Sequence, residues 1–205
     1  MSARRSTPTS DGGRTLRDVI TADAGVPPEF VRALHALRDE RLRPEVRLTE
    51  IPAPARIAPY AVALTAEVAG ADGDEEAASG RFVLLHDPAG QTAWDDTFRV
   101  VSLVRATLDP ETASDPLLCE AAWSWVEEAL TDVDHHALGG TVTRVASESF
   151  GTLAEREAES EVEIRASWSP RGDVGVHLAA WAALLCQAAG LPPLPDGVTA
   201  LGRRR

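Results

Sequence analysis

Two arginines stand at equivalent positions in a pattern that the chain contains twice. In one copy Arg105 is followed five residues later by Pro110, and in the other Arg165 is followed at the same spacing by Pro170. In both copies an Asp also precedes a Trp by eight residues. Because guanidinium groups bind carboxylate and phosphate oxygens through a planar fork, two arginines brought together by such a repeat predict an anion site.

A structural alternative stands beside this anion site. Each arginine could instead pair with a carboxylate on the outer face of a sheet, and Glu163 and Glu67 are two candidates. Both arginines lie in segments with the alternation of a strand that buries one face and leaves the other to water or a partner. The sequence leaves the two interpretations open.

The dipeptide His86-Asp87 is the candidate for acid–base chemistry. An imidazole beside a carboxylate can move a proton to or from a substrate. The alternative is that Asp87 forms a turn with the residues that follow it, since Asp and Pro favour turns. In a ligand cleft at the junction of the two repeats, Arg105 and Arg165 would hold an anion, and His86 or Asp87 would act as acid or base.

Trp94 differs from the other tryptophans because it lies in a loop between two predicted strands. Trp is common where protein surfaces meet, so Trp94 is the predicted partner-binding residue. The alternative is that Trp94 is a lid on the sheet. The other four lie on elements that we expect to pack the core: Trp123, Trp125, Trp168 and Trp181.

Several common chemistries lack their sequence signals. All 20 basic residues are Arg, so the chain has no lysine for a Schiff base or for a phosphate-binding loop. It has no Gly-x-Ser-x-Gly elbow, Gly-rich phosphate loop or His-Glu-x-x-His helix. The densest group of potential metal ligands, in residues 132–136, is interpreted as a polar helix end. We therefore predict no catalytic residue, no metal site and no cofactor.

The two cysteines lie among apolar neighbours in predicted helices. We interpret Cys119 and Cys186 as buried free thiols, because a disulfide is disfavoured in a reducing compartment. Cys119 and His177 also occupy equivalent positions of the repeat, which suggests a Cys–His dyad. Strand–helix units seldom bring the same helix position together across a repeat, so the dyad is disfavoured.

The composition is that of one acidic globular domain. A chain of 205 residues with 44% hydrophobic and 25% charged residues can bury one good-sized core. The formal net charge of -12 repels phosphate backbones and disfavours nucleic-acid binding. The sequence contains neither an apolar run of roughly 20 residues nor a secretory signal, so we predict no membrane association and a cytoplasmic location.

The pattern of apolar residues predicts an α+β fold. The expected order is α-β-β-β-α-β-β-α, a mostly antiparallel sheet with helices packed on it and two pseudo-repeated strand–helix halves. The proline-rich residues 44–59 form either an edge strand or an extended wrap. We expect a disordered arm over residues 1–26, a single domain over 27–195 and a flexible tail over 196–205.

Three boundaries in the second half follow from local signals. Asp115 is a good N-cap, so a helix is predicted from it to Leu130. Gly139 and Gly140 should end a short helical turn that follows this helix, before a strand over 141–150. The clearest strand is 161–168, where apolar residues alternate with polar ones.

The stretch from Gly80 to Asp96, Gly-Arg-Phe-Val-Leu-Leu-His-Asp-Pro-Ala-Gly-Gln-Thr-Ala-Trp-Asp-Asp, continues as Thr-Phe-Arg-Val-Val. Together with Pro28-Glu-Phe-Val-Arg-Ala-Leu and the Trp-bearing helices, it resembles an actinobacterial family of uncharacterised proteins, domain of unknown function 3000. The resemblance covers residues 27–195 and implies no activity or site. The element order is also similar to the secretion-chaperone-like fold, whose small acidic members often dimerise and bind segments of partner chains.

Two functional hypotheses follow. The first is a non-enzymatic protein-interaction or chaperone-like module that binds another protein or itself as a homodimer, which fits the acidic charge and the missing site motifs. The second is a small-ligand-binding protein or enzyme with an anion-binding cleft between the two repeats. Convergence of Arg105, Arg165 and His86 into one pocket would favour the second.

Overall fold

An antiparallel sheet of six strands forms the centre of the computed structural model, which describes residues 25–54, 56–69, 76–156 and 158–191. The predicted tail over 196–205, and all but the last two residues of the predicted arm over 1–26, lie outside the described residues.

The elements follow one another along the chain with short connections. The helices are α1 (Pro28–Asp39), α2 (Pro110–Ser114), α3 (Leu118–Ala129) and α4 (Val174–Ala188), with one 3-10 turn at Gly151–Leu153. The strands are β1 (Val46–Ile51), β2 (Tyr60–Ala69), β3 (Glu76–Gln91), β4 (Asp96–Leu108), β5 (His135–Ser147) and β6 (Glu159–Pro170). Their order in the sheet is β1-β2-β3-β4-β6-β5, and all neighbours are antiparallel. The predicted α+β class is confirmed.

The first edge of the sheet resolves the alternative left open for residues 44–59. They contribute β1, which pairs with β2 from Val46↔Val68 to Ile51↔Ala63. Prolines flank this strand, and an edge position tolerates them because only one side of the strand needs ladder donors. The expected order therefore gains one strand before the predicted three.

The helix predicted from Asp115 to Leu130 starts three residues later, as α3 at Leu118, and the separate short helix α2 precedes Asp115. The Asp109 side chain caps α2 by accepting hydrogen bonds from the backbone N–H groups of Glu111 and Thr112, at 3.0 and 2.9 Å. Asp115 instead closes α2 and accepts from the Leu117 N–H group at 2.8 Å. Asp109 precedes Pro110, and Asp115 likewise precedes Pro116. The Asp-Pro signal for a helix N-terminus therefore occurs twice, six residues apart.

The predicted break at Gly139-Gly140 lies inside a strand. β5 starts at His135, and its register against β6 shifts between His136 and Gly139, where Ala137 has a φ of 51°. Such a bulge adds residues without ending the pairing. Gly139 lies at this irregular stretch, and Gly140 allows a helix to approach the strand closely. Neither glycine ends an element.

The main core lies between the sheet and the helices α1, α3 and α4. α4 lies between α1 and α3 and is buried on nearly all sides, with 11 of its 15 residues buried. A helix that is apolar all round belongs in the middle of a layer. Its Trp181 packs against Phe82 of β3, with ring centroids 5.7 Å apart.

Two tryptophans of the helical layer lie directly over glycines of the sheet. A Cβ atom built on Gly80 would lie 2.7 Å from Trp181 Cζ2, and one built on Gly140 would lie 2.7 Å from Trp123 Cζ3. Real Cβ atoms do not approach other atoms so closely, so each indole needs a residue without a side chain beneath it. The helices thereby sit close to the sheet at both points.

The opposite face of the sheet, called here the outer face, carries the residues that alternate with the core positions. Part of this face is covered by a small second core around Trp94, which includes Ala63, Val83 and Leu85. The remaining part, over β3, β4 and β6, has no helix on it in the described structure. This open area holds both arginines of the sequence repeat.

Candidate functional site

Arg105 and Arg165 meet on the outer face, where both bind one carboxylate. Arg105 reaches Glu163 Oε2 through Nε and Nη2 at 2.6 Å, and Arg165 Nη2 lies 2.6 Å from Glu163 Oε1. Glu163 is 9% exposed, whereas the arginine side chains are 54% and 65% exposed. The structure therefore shows the second interpretation, in which the arginines pair with a carboxylate on the outer face. The ligand-binding role of the two arginines stays a prediction.

The strand pairing explains this cluster. Arg105 of β4 is directly opposite Glu163 of β6, and Arg165 lies two residues further along β6 on the same face. Residues two apart in a strand point to the same side, so the arginines approach the carboxylate from two directions. One glutamate thus partly neutralises two guanidinium groups.

His86 lies on the other side of the sheet, fully buried in the main core. Its ring stacks on Phe98 and Phe30 with centroids 4.1 and 5.7 Å apart. Nδ1 donates to the Thr97 carbonyl oxygen at 3.1 Å, and Nε2 lies 3.4 Å from Glu29 Oε1 on α1. In the folded chain this imidazole is therefore remote from the outer-face arginines.

Asp87 has the local role that its turn sequence suggests. Its carboxylate accepts hydrogen bonds from the Ala89 N–H group at 3.0 Å and from Gln91 Nε2 at 3.1 Å. The four candidate ligand residues are consequently divided between the outer face, the core and a hairpin end. The structure does not bring them into one cleft, and whether any of them binds a ligand stays a prediction.

Trp94 is the lid of the second core. It is 8% exposed, and its carbonyl oxygen accepts a hydrogen bond from Ser169 Oγ at 2.6 Å. The loop that carries it folds back over β2 and β3 instead of projecting outward. A side chain so buried offers little surface to a partner, so this placement does not favour the predicted partner contact.

The acidic and histidine-rich residues 132–136 are spread around the start of β5. His135 Nδ1 donates to the Val133 carbonyl oxygen at 2.7 Å, and His136 Nε2 donates to the Asp95 carbonyl oxygen at 3.1 Å. In the described part of the chain, no group of three or more His, Cys, Asp or Glu side chains is arranged to hold a metal ion.

The cysteines differ from each other. Cys186 on α4 is 1% exposed, and burial raises the pKa of its thiol, whereas Cys119 on α3 is exposed, contrary to expectation. His177 is fully buried and bound to Trp168 Nε1 and the Arg171 carbonyl oxygen. Both ring nitrogens of His177 thus have partners other than a thiol.

An open groove lies on the outer face beside the arginine cluster. It has a volume of about 340 Å³, and Val83, Val101 and Leu103 form its apolar floor. Val101 is 41% exposed although it lies on a central strand. Arg81, Arg165 and Thr141 line the groove in the same row of the sheet as Leu103, and Ser167 and Gly139 line it in the row of Val101.

Two arginines of the outer face have no carboxylate partner among the described residues: Arg81, which lines the groove, and Arg99, which lies one row beyond Val101. The Arg81 side chain is exposed and makes no hydrogen bond or ion pair with another described residue. Arg99 donates from Nη2 to Ser167 Oγ at 2.7 Å and from Nη1 to Ser169 Oγ and the Ala137 carbonyl oxygen, at 3.2 and 2.9 Å. Burial lowers the pKa of Arg99, although a guanidinium group keeps its charge in proteins.

Arg81, Arg99 and the exposed Val101 are not among the site residues predicted from the sequence. A signal for them exists in the alternation of β3 and β4. Once Phe82 of β3 and Val100 of β4 are assigned to the core, the residues directly before and after each of them must face the other way. The alternation places all three residues on the outer face of the sheet.

Comparisons with known proteins add the family but no activity. Neither a curated protein nor a solved structure matches the chain. The resemblance to the secretion-chaperone-like fold therefore stays a prediction. Within the described ranges, no helix is both long and apolar enough to cross a bilayer. The family model for the protein of unknown function DUF3000 matches residues 26–199, so the chain belongs to this family.

Proposed function

We propose that the chain is a non-enzymatic protein-interaction module that binds another polypeptide through the outer face of its sheet. The observation that carries the proposal is the apolar floor of the groove, in which Val101 is 41% exposed. A solvated sheet face usually carries polar side chains at these positions. An apolar area framed by charges is typical of a surface that is covered in a complex.

The geometry favours this hypothesis over the anion-binding cleft. A cleft enzyme would need an acid or base beside the bound anion. His86, the candidate base, points into the core between Phe30 and Phe98, while Arg105 and Arg165 are on the outer face and already share Glu163. The groove offers shape and apolar surface, which suit the side chains of a partner.

Two valines provide a matched pair of variants for the test. Val101 in the groove is 41% exposed, and Val176 on α4, which packs on the opposite side of the sheet, is 43% exposed. Val101→Glu places a charge on the apolar floor, whereas Val176→Glu makes the same chemical change elsewhere. Both side chains are solvent-accessible, so both variants should fold, which circular dichroism and thermal melting would check.

The experiment compares the proteins that co-purify with tagged wild-type and variant chains from cells of the source organism. We expect the same partner with the wild type and with Val176→Glu, and its loss with Val101→Glu. Retention of the partner by Val101→Glu would overturn the proposal. Light scattering coupled to size-exclusion chromatography then decides whether the partner is a second copy, since a dimer through this face would dissociate in Val101→Glu alone.

A further inference from the structure

We infer that the groove binds an extended, acidic segment of a partner protein, in which an aliphatic side chain lies between two carboxylates. The aliphatic side chain would pack on Val83 and Val101, and the carboxylates would bind Arg81 and Arg99. The inference rests on the proposed function and names the chemistry of the partner.

The charge of the outer face around the groove favours an acidic partner. In the four rows of the outer face from Arg99 to Arg105, strands β3, β4 and β6 hold four arginines and one glutamate, a net of three positive charges in a chain whose net charge is -12, and Glu161 lies in the next row. The arginines are Arg81, Arg99, Arg105 and Arg165, and the glutamate is Glu163. A local excess of positive charge on an acidic protein selects an acidic partner, because the rest of the surface repels it.

Two of these arginines have no carboxylate partner among the described residues. Arg99 is partly desolvated, yet it donates only to neutral oxygens. Arg81 has no hydrogen-bonding partner among the described residues. Carboxylates that bind these groups would form charge-assisted hydrogen bonds, which are stronger than those that the arginines make now.

The spacing of the two arginines defines the segment. Arg81 of β3 is opposite Leu103 of β4, and Arg99 lies four residues from Leu103 along β4. An extended chain rises about 3.3 Å per residue, so the two positions are about 13 Å apart along the strand direction. Carboxylates four residues apart in an extended segment match this distance, and the residue midway between them points to the same side, toward Val101 and Val83.

The floor of the groove argues against a nucleic acid as the occupant. Single-stranded nucleic acids bind through exposed aromatic side chains on which bases stack. The floor is aliphatic, and Trp94, the nearby aromatic residue, is buried under its own loop. An aliphatic side chain of a peptide fits this surface better than a base or a phosphate.

The test uses the full chain and short fluorescent peptides in an anisotropy titration. The probe has the core Glu-Thr-Leu-Thr-Glu within a Gly-Ser frame; the matched peptides replace both Glu by Lys, both Glu by Gln, or Leu by Ser. We expect binding of the Glu probe alone, weakened by added salt because the contacts are ionic. Arg81→Gln should weaken it about fivefold, Val101→Glu should abolish it, and Val176→Glu should leave it unchanged.

Two further variants give the inference a gain as well as a loss. Glu163→Gln removes the one carboxylate of the cluster, so it should strengthen binding of the Glu probe. Arg81→Glu should transfer binding toward the Lys peptide. Neither replaced side chain is buried in the main core, and circular dichroism would confirm that both variants fold.

The outcomes separate this inference from the proposed function. Equal binding of the Gln and Glu peptides, lost in Val101→Glu, would overturn the acidic partner and leave the interaction module standing. No binding of the Glu probe, or binding that is indifferent to Arg81→Gln and salt, would also overturn the inference. Binding of an oligonucleotide instead of the peptide, with loss in Arg81→Gln, would replace it with nucleic-acid recognition.

Discussion

Trp168 donates a hydrogen bond from its indole Nε1 to Nδ1 of His177, at a distance of 3.0 Å. His177 Nε2 in turn donates to the Arg171 carbonyl oxygen at 3.1 Å. Because Nδ1 accepts and Nε2 donates, the ring is the neutral tautomer with its proton on Nε2. Both side chains are buried, so this bond joins the last strand to the last helix inside the core.

This bond makes the stability of the fold sensitive to acid. Burial lowers the pKa of His177, so the folded chain binds its proton only below the pH at which the unfolded chain does. The unfolded-state pKa of histidine is about 6.5. The free energy of unfolding should therefore be highest above about pH 6.5 and should decrease as the pH falls through the lowered folded-state pKa.

Urea unfolding at several pH values between about 7.5 and 5 would measure this decrease. His177→Gln keeps a donor and an acceptor but does not titrate, so its stability should fall less steeply with acid than that of the wild type. Val176→Gln, at an exposed position of the same helix, should retain the wild-type slope. A slope in His177→Gln equal to the wild-type slope would contradict the assignment.

The close packing of Trp181 on Gly80 predicts a cost for a single methyl group. In Gly80→Ala the new Cβ would lie 2.7 Å from both Trp181 Cζ2 and the Leu103 carbonyl oxygen. Overpacking of this kind lowers the free energy of unfolding by about 1–3 kcal/mol. Gly139→Ala is the control, because nothing lies within 4 Å of its Cβ position. Chemical denaturation of the two variants should differ, and equal midpoints would count against the packing described.

The two thiols should react with Ellman's reagent at very different rates. Cys119 is exposed, whereas Cys186 is buried and has a raised pKa, so less of it is thiolate at neutral pH. We expect one rapidly modified thiol per folded chain and two after unfolding. Cys119→Ser should abolish the rapid phase. A rapid phase that survives in this variant would show that the packing around α4 opens readily.

The shared carboxylate of the arginine cluster should stabilise the fold modestly. Glu163→Gln leaves Arg105 and Arg165 without their charged partner, but both arginines remain largely in water. The expected loss is about 1 kcal/mol in the free energy of unfolding, decreasing at high salt because exposed ion pairs are screened. Glu161→Gln on the same strand is the matched control, and an equal loss in both variants would mean that the ion pairs contribute nothing specific.

The strands were the most predictable part of the molecule. The alternation in residues 161–168 predicted a half-buried strand, and β6 spans Glu159–Pro170 with its apolar side chains in the core. Such alternation is a local signal, because a strand presents every second residue to the same side. The α+β class follows from several signals of this kind.

Relations between distant residues were less predictable. That Arg105 and Arg165 share Glu163 depends on the register of β4 against β6, which long-range packing sets. His86 was interpreted together with Asp87, yet neighbouring strand residues point to opposite faces, and β3 continues past both of them. The groove could not be predicted from the strands alone, because it depends on which face of the sheet each apolar side chain occupies.

The packing of each indole over a glycine limits which substitutions the chain can accept. Each glycine has two obstacles to a side chain, an indole above it and a backbone carbonyl oxygen beside it: Trp181 and the Leu103 oxygen at Gly80, and Trp123 and the Arg165 oxygen at Gly140. A smaller residue in place of either tryptophan would remove the indole, but the carbonyl oxygen belongs to the neighbouring strand and would remain. Among descendants of this sequence, the two glycines should therefore stay fixed even where the tryptophan above them has been replaced.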